Sequence, residues 1–285
     1  MKEVARKSPR KRRSSGDEAA ASHVTKIMRA LETLARGPCT AAEVTAALGA
    51  HPRTVSRLLE SLTAEGYVTA YGSGRQRLFS LTLRIVSLGQ RVVSGMDLAE
   101  VARPYVRRLS AVLNETCHVS VPGQEFVVDL VHETGSRLVA VMQPPGTQVP
   151  YHCTAIGKAL LAHLPEKQKA VLRRPLKRFT ERTIVDAEAL RAELAKVRAR
   201  GYAVDELEFS MELRCLAAPV FNYDGDAVCA IGMSAPAIRF TEPNVESVAA
   251  IVVREAVHMS RELGYNDPRT VDGPLQAAQR SIGAG

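Results

Sequence analysis

The sequence predicts an α+β chain in two parts: a small helical unit that ends in a β-hairpin, and a larger unit on a central antiparallel sheet. Three observations carry this reading. Apolar residues recur at helical spacing through residues 24–62, then give way to two strand-like runs around Gly72-Ser73-Gly74-Arg75. Beyond residue 99, helical and strand-like segments are mixed in the order expected of a sheet with helices packed outside it. Positive charge is concentrated at the front: residues 1–83 hold 14 Lys and Arg against 7 Asp and Glu, whereas the remainder holds 24 against 23.

The 285 residues suffice for two domains of ordinary size, and 46% hydrophobic with 24% charged residues is the composition of a globular protein. No apolar run approaches the ~18 residues of a membrane span. The N-terminus is basic but lacks the apolar stretch of a signal peptide, so the chain is expected to stay in the cytosol, without a membrane partner. Five scattered cysteines (Cys39, Cys117, Cys153, Cys215, Cys229) with no CxxC pair argue against a disulfide framework or structural zinc and read as small buried thiols. No cofactor and no metal is expected.

Residues 1–21, rich in Lys, Arg, Ser and Ala, form an expected disordered basic tail. In the first domain, 22–83, Val24, Ile27, Met28, Leu31 and Leu34 mark a helix that Gly37-Pro38 stops. Thr40 caps a second helix, Ala41 to Leu48, with Glu43 completing a capping box and Gly49 ending it. A third helix starts at Pro52 and runs to about Ala64, with Val55, Leu58, Leu59 and Leu62 in one apolar stripe. Strands at 67–71 and 77–81 follow. Helix, helix, turn, helix and hairpin make a winged helix-turn-helix. Residues 84–98 are the expected linker, part of one amphipathic helix over 83–97. Its apolar face pairs with a second subunit or packs on its own domain; the pattern fits both.

The second domain, 99–265, opens with a helix carrying Val101, Tyr105, Leu109 and Val112. Strands are expected at 117–121, 125–132, 137–142, 216–222 and 227–234, and helices at 154–163, 166–172, 186–199 and 242–263. Residues 266–285, rich in Gly, Ala and Pro, form a flexible tail.

A recognition helix works because the major groove admits one α-helix whose outward side chains meet base edges. Outward on the third helix stand Arg53, Thr54, Ser56 and Arg57, and the wing adds Arg75, Gln76 and Arg77. Arginine grips guanine bidentately or pins a phosphate, and hydroxyls serve either purpose. Without the tail, residues 21–83 still hold 7 basic against 4 acidic residues, so double-stranded operator DNA is the expected partner.

The second domain contains Val149-Pro150-Tyr151-His152-Cys153-Thr154-Ala155-Ile156-Gly157-Lys158-Ala159-Leu160-Leu161-Ala162. It also contains Arg200-Gly201-Tyr202-Ala203-Val204-Asp205 and Arg214-Cys215-Leu216-Ala217-Ala218-Pro219-Val220-Phe221. With Ala102-Arg103-Pro104 and the helix-turn-helix, these segments resemble the IclR family of bacterial transcription regulators over roughly residues 22–265. The resemblance implies a GAF-like effector domain, homodimers that pair into tetramers in some members, and a small organic acid bound between sheet and helices. Family positions carry over to Ala155, Ile156, Asp205, Leu213, Cys215, Gly232 and Ser234 as effector-binding residues. Gly232 departs from members that place serine there, and Glu212 stands where the family commonly has glycine. Glu212 either repels an acidic effector or pairs with Arg214 or Arg239. Repression is the expectation, on the resemblance alone, with activation as the alternative.

Catalytic residues are not expected. His152, Cys153 and Asp205 are the residue types of a Cys-dependent hydrolase, but adjacent His and Cys on one backbone point apart. His118, His132, His152 and His163 fall outside the spacing of a helical metal site.

Overall fold

A computed structural model of the chain describes residues 15–266. These fall into two compact units divided between Met96 and Asp97. Most of the expected basic tail, residues 1–14, lies outside the described residues, as does the expected flexible tail from 267 onward. The segment 15–21 is helical, not disordered: α1 spans Ser15–Ala35. Ala19, Ala20 and Ala21 have the strongest helix propensity, and Asp17 and Glu18 fall in the first turn, where acidic residues favour the helix dipole.

In the first unit α2 spans Ala41–Leu48 and α3 spans Pro52–Ala64. The capping box at Thr40 is formed in both directions: Glu43 N donates to Thr40 Oγ1 at 3.3 Å, and Thr40 N donates to Glu43 Oε2 at 2.7 Å. Gly49 closes α2 in the left-handed conformation, φ 60°. His51 caps α3 through Nδ1, which accepts from Arg53 N at 3.3 Å, and Pro52 occupies the first turn. The apolar stripe of α3 is buried against Ala30, Leu34, Val44, Leu48, Val68 and Phe79. The hairpin strands are β2 (Val68–Tyr71) and β3 (Leu78–Leu81), and β1 (Cys39–Thr40) pairs with β3. Two residues are too few for a strand pattern, which is why β1 had no sequence signal.

Helix α4 spans Leu83–Ser94, shorter than the expected 83–97. Asp97 starts a new helix instead by accepting from Ala99 N at 2.9 Å, and α5 runs Leu98–Leu113.

The second unit has a six-stranded antiparallel sheet in the order β6-β5-β4-β9-β8-β7. Its strands are β4 (Thr116–Pro122), β5 (Val127–Glu133), β6 (Gln148–Val149), β7 (Ala203–Glu206), β8 (Leu213–Phe221) and β9 (Ala227–Pro236). Helices α5 and α9 (Val245–Glu262) pack on one face. On the other face lies α6 (Ala155–Leu161), bordered by α7 (Pro165–Leu172) and α8 (Ala187–Arg200).

The expected strand at 137–142 does not form. The edge of β5 is taken by β6, with Val127 opposite Val149, so no partner remains for a ladder. Side chains hold the segment instead. Arg137 Nε donates to the Asn114 carbonyl at 3.0 Å, and Thr116 Oγ1 donates to the Val141 carbonyl at 2.7 Å. Leu138, Val139 and Met142 are exposed.

Candidate functional site

On α3, Arg53, Ser56 and Arg57 are exposed and Thr54 is half-buried, all opposite the buried stripe. Arg53, Thr54 and Arg57 border one groove with Ser61 and Tyr67, and Ser56 lies outside it. On the wing Gln76 and Arg77 are exposed, and the Arg77 guanidinium lies over the Phe79 ring at 5.3 Å. The Arg75 side chain is outside the described residues.

In the second unit the sheet register builds the site. Residues directly opposite one another in an antiparallel pair share a face. Thr116 faces Ser234, Ser234 faces Cys215, and Cys215 faces Asp205, giving one row across four strands. The next row on that face is His118, Gly232, Ala217 and Ala203. The N-terminal end of α6 covers these rows, and between them lies a cavity of about 170 Å³. Its wall brings together Ala155, Ile156, Asp205, Leu213, Cys215 and Ser234, with His118, Gln143 and Thr154 beside them. Six of the seven expected effector positions therefore meet. Gly232 does not border the cavity. A Cβ there would stand 2.7 Å from the Leu216 carbonyl oxygen and 2.8 Å from Ala217 Cβ, so the strand leaves no room for serine.

Helix α6 has seven residues, shorter than the expected 154–163, and Thr154 caps it by accepting from Gly157 N at 3.1 Å. Asp205 is 1% exposed; its Oδ1 accepts from Glu208 N at 2.7 Å and Phe209 N at 3.3 Å. Its Oδ2 is buried without a hydrogen-bond partner, as is Nδ1 of His118. Burial pushes the Asp205 carboxyl up to about 7 and holds His118 below the usual imidazole range.

Behind Asp205 sits an ion pair that sequence reasoning missed. Lys158 on α6 and Glu208 are both buried and hydrogen-bonded to each other. Fifty positions separate them, so no local pattern pairs them; only the buried side of α6 marks Lys158 as unusual.

Glu212 is exposed, outside the cavity wall, and pairs with neither candidate arginine. Arg214 bonds Glu206 at 2.7 Å, and Arg239 grips Glu115 with two contacts of 2.7 Å. His152 Nε2 lies 2.9 Å from the Lys177 carbonyl, and burial pushes the Cys153 thiol well above its ordinary range. That thiol is not an activated nucleophile. Among the described residues no three His, Cys, Asp or Glu groups gather in a metal-binding cluster. No described helix is long and apolar enough to cross a membrane.

The family model for the bacterial transcriptional regulator IclR C-terminal domain matches residues 90–261, and a MarR family model matches residues 28–77. The HTH-type transcriptional regulator BhcR of Paracoccus denitrificans is 34% identical over 223 residues, covering 78% of this chain and 79% of that protein. The HTH-type transcriptional repressor AllR of Salmonella typhi is 30% identical over 234 residues, covering 81% of this chain and 85% of that one. An IclR-type regulator from Silicibacter sp. TM1040 superimposes with a TM-score of 0.76 at 27% identity, over 86% of this chain and 97% of that one. With a winged helix-turn-helix in front and this C-terminal domain behind it, the chain belongs to the IclR family of bacterial transcriptional regulators, not to an enzyme family.

Proposed function

We propose that the chain is a homodimeric repressor whose affinity for operator DNA is set by a small organic metabolite held in the cavity between α6 and the sheet. The observation that carries the metabolite reading is the cavity itself, which collects polar side chains from β4, β7 and β9 in an otherwise apolar layer. Its volume is below the ~300 Å³ at which pockets for drug-sized ligands begin, which suits a small metabolite. Repression is supported by the resemblance to AllR. The exposed Leu83, Val86 and Leu88 of α4 favour pairing with a second subunit over packing on the same unit.

Two winged helices in such a dimer meet half-sites about one helical turn, or a multiple, apart. A metabolite changes operator affinity only by binding one arrangement of the dimer more tightly than another. Genome-wide mapping of bound DNA supplies the operator. Anisotropy titrations of that duplex against salt are expected to give a falling log K with a slope near −0.9 per neutralised phosphate. Absence of salt-sensitive binding to any duplex overturns the proposal. Equal operator affinity with and without every compound that binds the protein removes its regulatory half.

A further inference from the structure

We propose that the effector approaches Asp205 as a hydrogen-bond donor: a small hydroxyl- or amide-bearing compound that donates to Asp205 Oδ2, with any carboxylate turned away from it. This rests on the cavity being the effector site and adds the chemical class of its ligand.

The turn that follows β7 fixes the acceptor. Asp205 Oδ1 is committed to the N–H groups of Glu208 and Phe209. Between them Leu207 holds a left-handed φ of 64°, a conformation that a leucine keeps only when its surroundings enforce it. They do: Thr180 Oγ1 donates to the Leu207 carbonyl at 2.7 Å, and Thr183 Oγ1 donates to the Glu208 carbonyl at 2.6 Å. The buried Lys158 holds the Glu208 side chain from α6. The carboxyl therefore cannot swing away, and Oδ2 is left as a buried acceptor without a partner on the cavity wall. Leaving such a group unmatched in a complex is costly, so the favoured ligand brings a donor.

Nothing on the wall offers a compensating cation, because neither Lys nor Arg is among the lining residues. The groups facing Asp205 are Glu208 from its own turn, Lys158 from α6, His118 from β4 and the thiols of Cys215 and Cys153. Asp129 and His132 of β5 stand by His118. A bare carboxylate against Asp205 would require that residue protonated, whereas a donor prefers it ionised. With a carboxyl held up at about 7, the two ligand classes give opposite pH dependences. Donor binding strengthens as pH rises through 7, and carboxylate binding weakens.

The test uses the full chain and a matched three-carbon series: D-glycerate, glyceramide, lactamide, lactate and propionate. Thermal shift is read at about pH 6 and about pH 8, and operator affinity by anisotropy. Glyceramide, lactamide and D-glycerate are expected to bind at least about tenfold more tightly than propionate, the worth of one hydrogen bond to a charged group, and more tightly at the higher pH. Asp205→Asn keeps an oxygen for the turn but replaces Oδ2 by an NH₂ donor, and is expected to lose that preference. The wild-type pH profile stands without the variant if the variant misfolds. Propionate binding equal to glyceramide, or tighter binding at the lower pH, overturns the inference, as does silence from the whole series, every member of which is small. Donor-selective binding with unchanged operator affinity refutes regulation and leaves this inference standing. Acid-selective binding that shifts operator affinity does the reverse.

Discussion

The two units place their polar chemistry oppositely. Among the described residues, all fifteen buried polar or charged side chains, from Ser110 to Ser260, lie in the second unit, and the first buries none. The first unit is held by an apolar core, and its basic residues face outward from α3 and the wing. The second unit carries Glu115, Asp129, Lys158, Asp205 and Glu208 inside. A surface that reads DNA is separable from the core that folds it. A cavity cannot be separated in that way, because its walls are the core. Substitutions at the α3 face are therefore expected to change binding without stability, and substitutions around the cavity to change both.

The largest test of this contrast is Lys158→Met, which leaves Glu208 buried and uncompensated. The expected loss is about 3–5 kcal/mol in urea melts, and adding Glu208→Gln is expected to recover part of it. A loss near zero would mean that the pair is wet and that the second interior is less polar than described. Leu59→Ala in the first core removes a fully buried side chain and is expected to cost about 2–5 kcal/mol. Its effect on effector binding is expected to be nil, since the residue belongs to the other unit. Arg57→Ala is expected to weaken operator binding by about 1–3 kcal/mol with an unchanged melting curve, and a lowered melting temperature would place the guanidinium in the fold instead. Smallest is Thr40→Ala, which removes one arm of the capping box; ~1 kcal/mol of stability is expected to go, by chemical denaturation.

How far each unit was legible follows the same division. In the first, every major element had a local cause in the sequence: Thr40 with Glu43, Gly49, Pro52, and the stripe at Val55, Leu58, Leu59 and Leu62. In the second, the positions transferred by family resemblance converge on one cavity, but the parts that aim them were invisible. Strand β7 was missed because Ala203–Glu206 is short and its first three residues are all buried, so apolar and polar residues do not alternate. The Lys158–Glu208 pair and the left-handed Leu207 are products of tertiary closure, which no local pattern encodes. The false strand at 137–142 shows the converse. An alternating apolar segment becomes a strand only if an edge is free to receive it.

Every residue of α6, from Ala155 to Leu161, is buried. Most helices have a wet side along which they tilt or slide at little cost, and this one has none. A Cβ at Gly157 would already touch the Tyr151 carbonyl oxygen at 2.4 Å, so even the backbone lacks slack on that flank. Whatever occupies the space at its tip either leaves the segment where it is or drives it as a rigid plug into the sheet and α8, with no graded response in between.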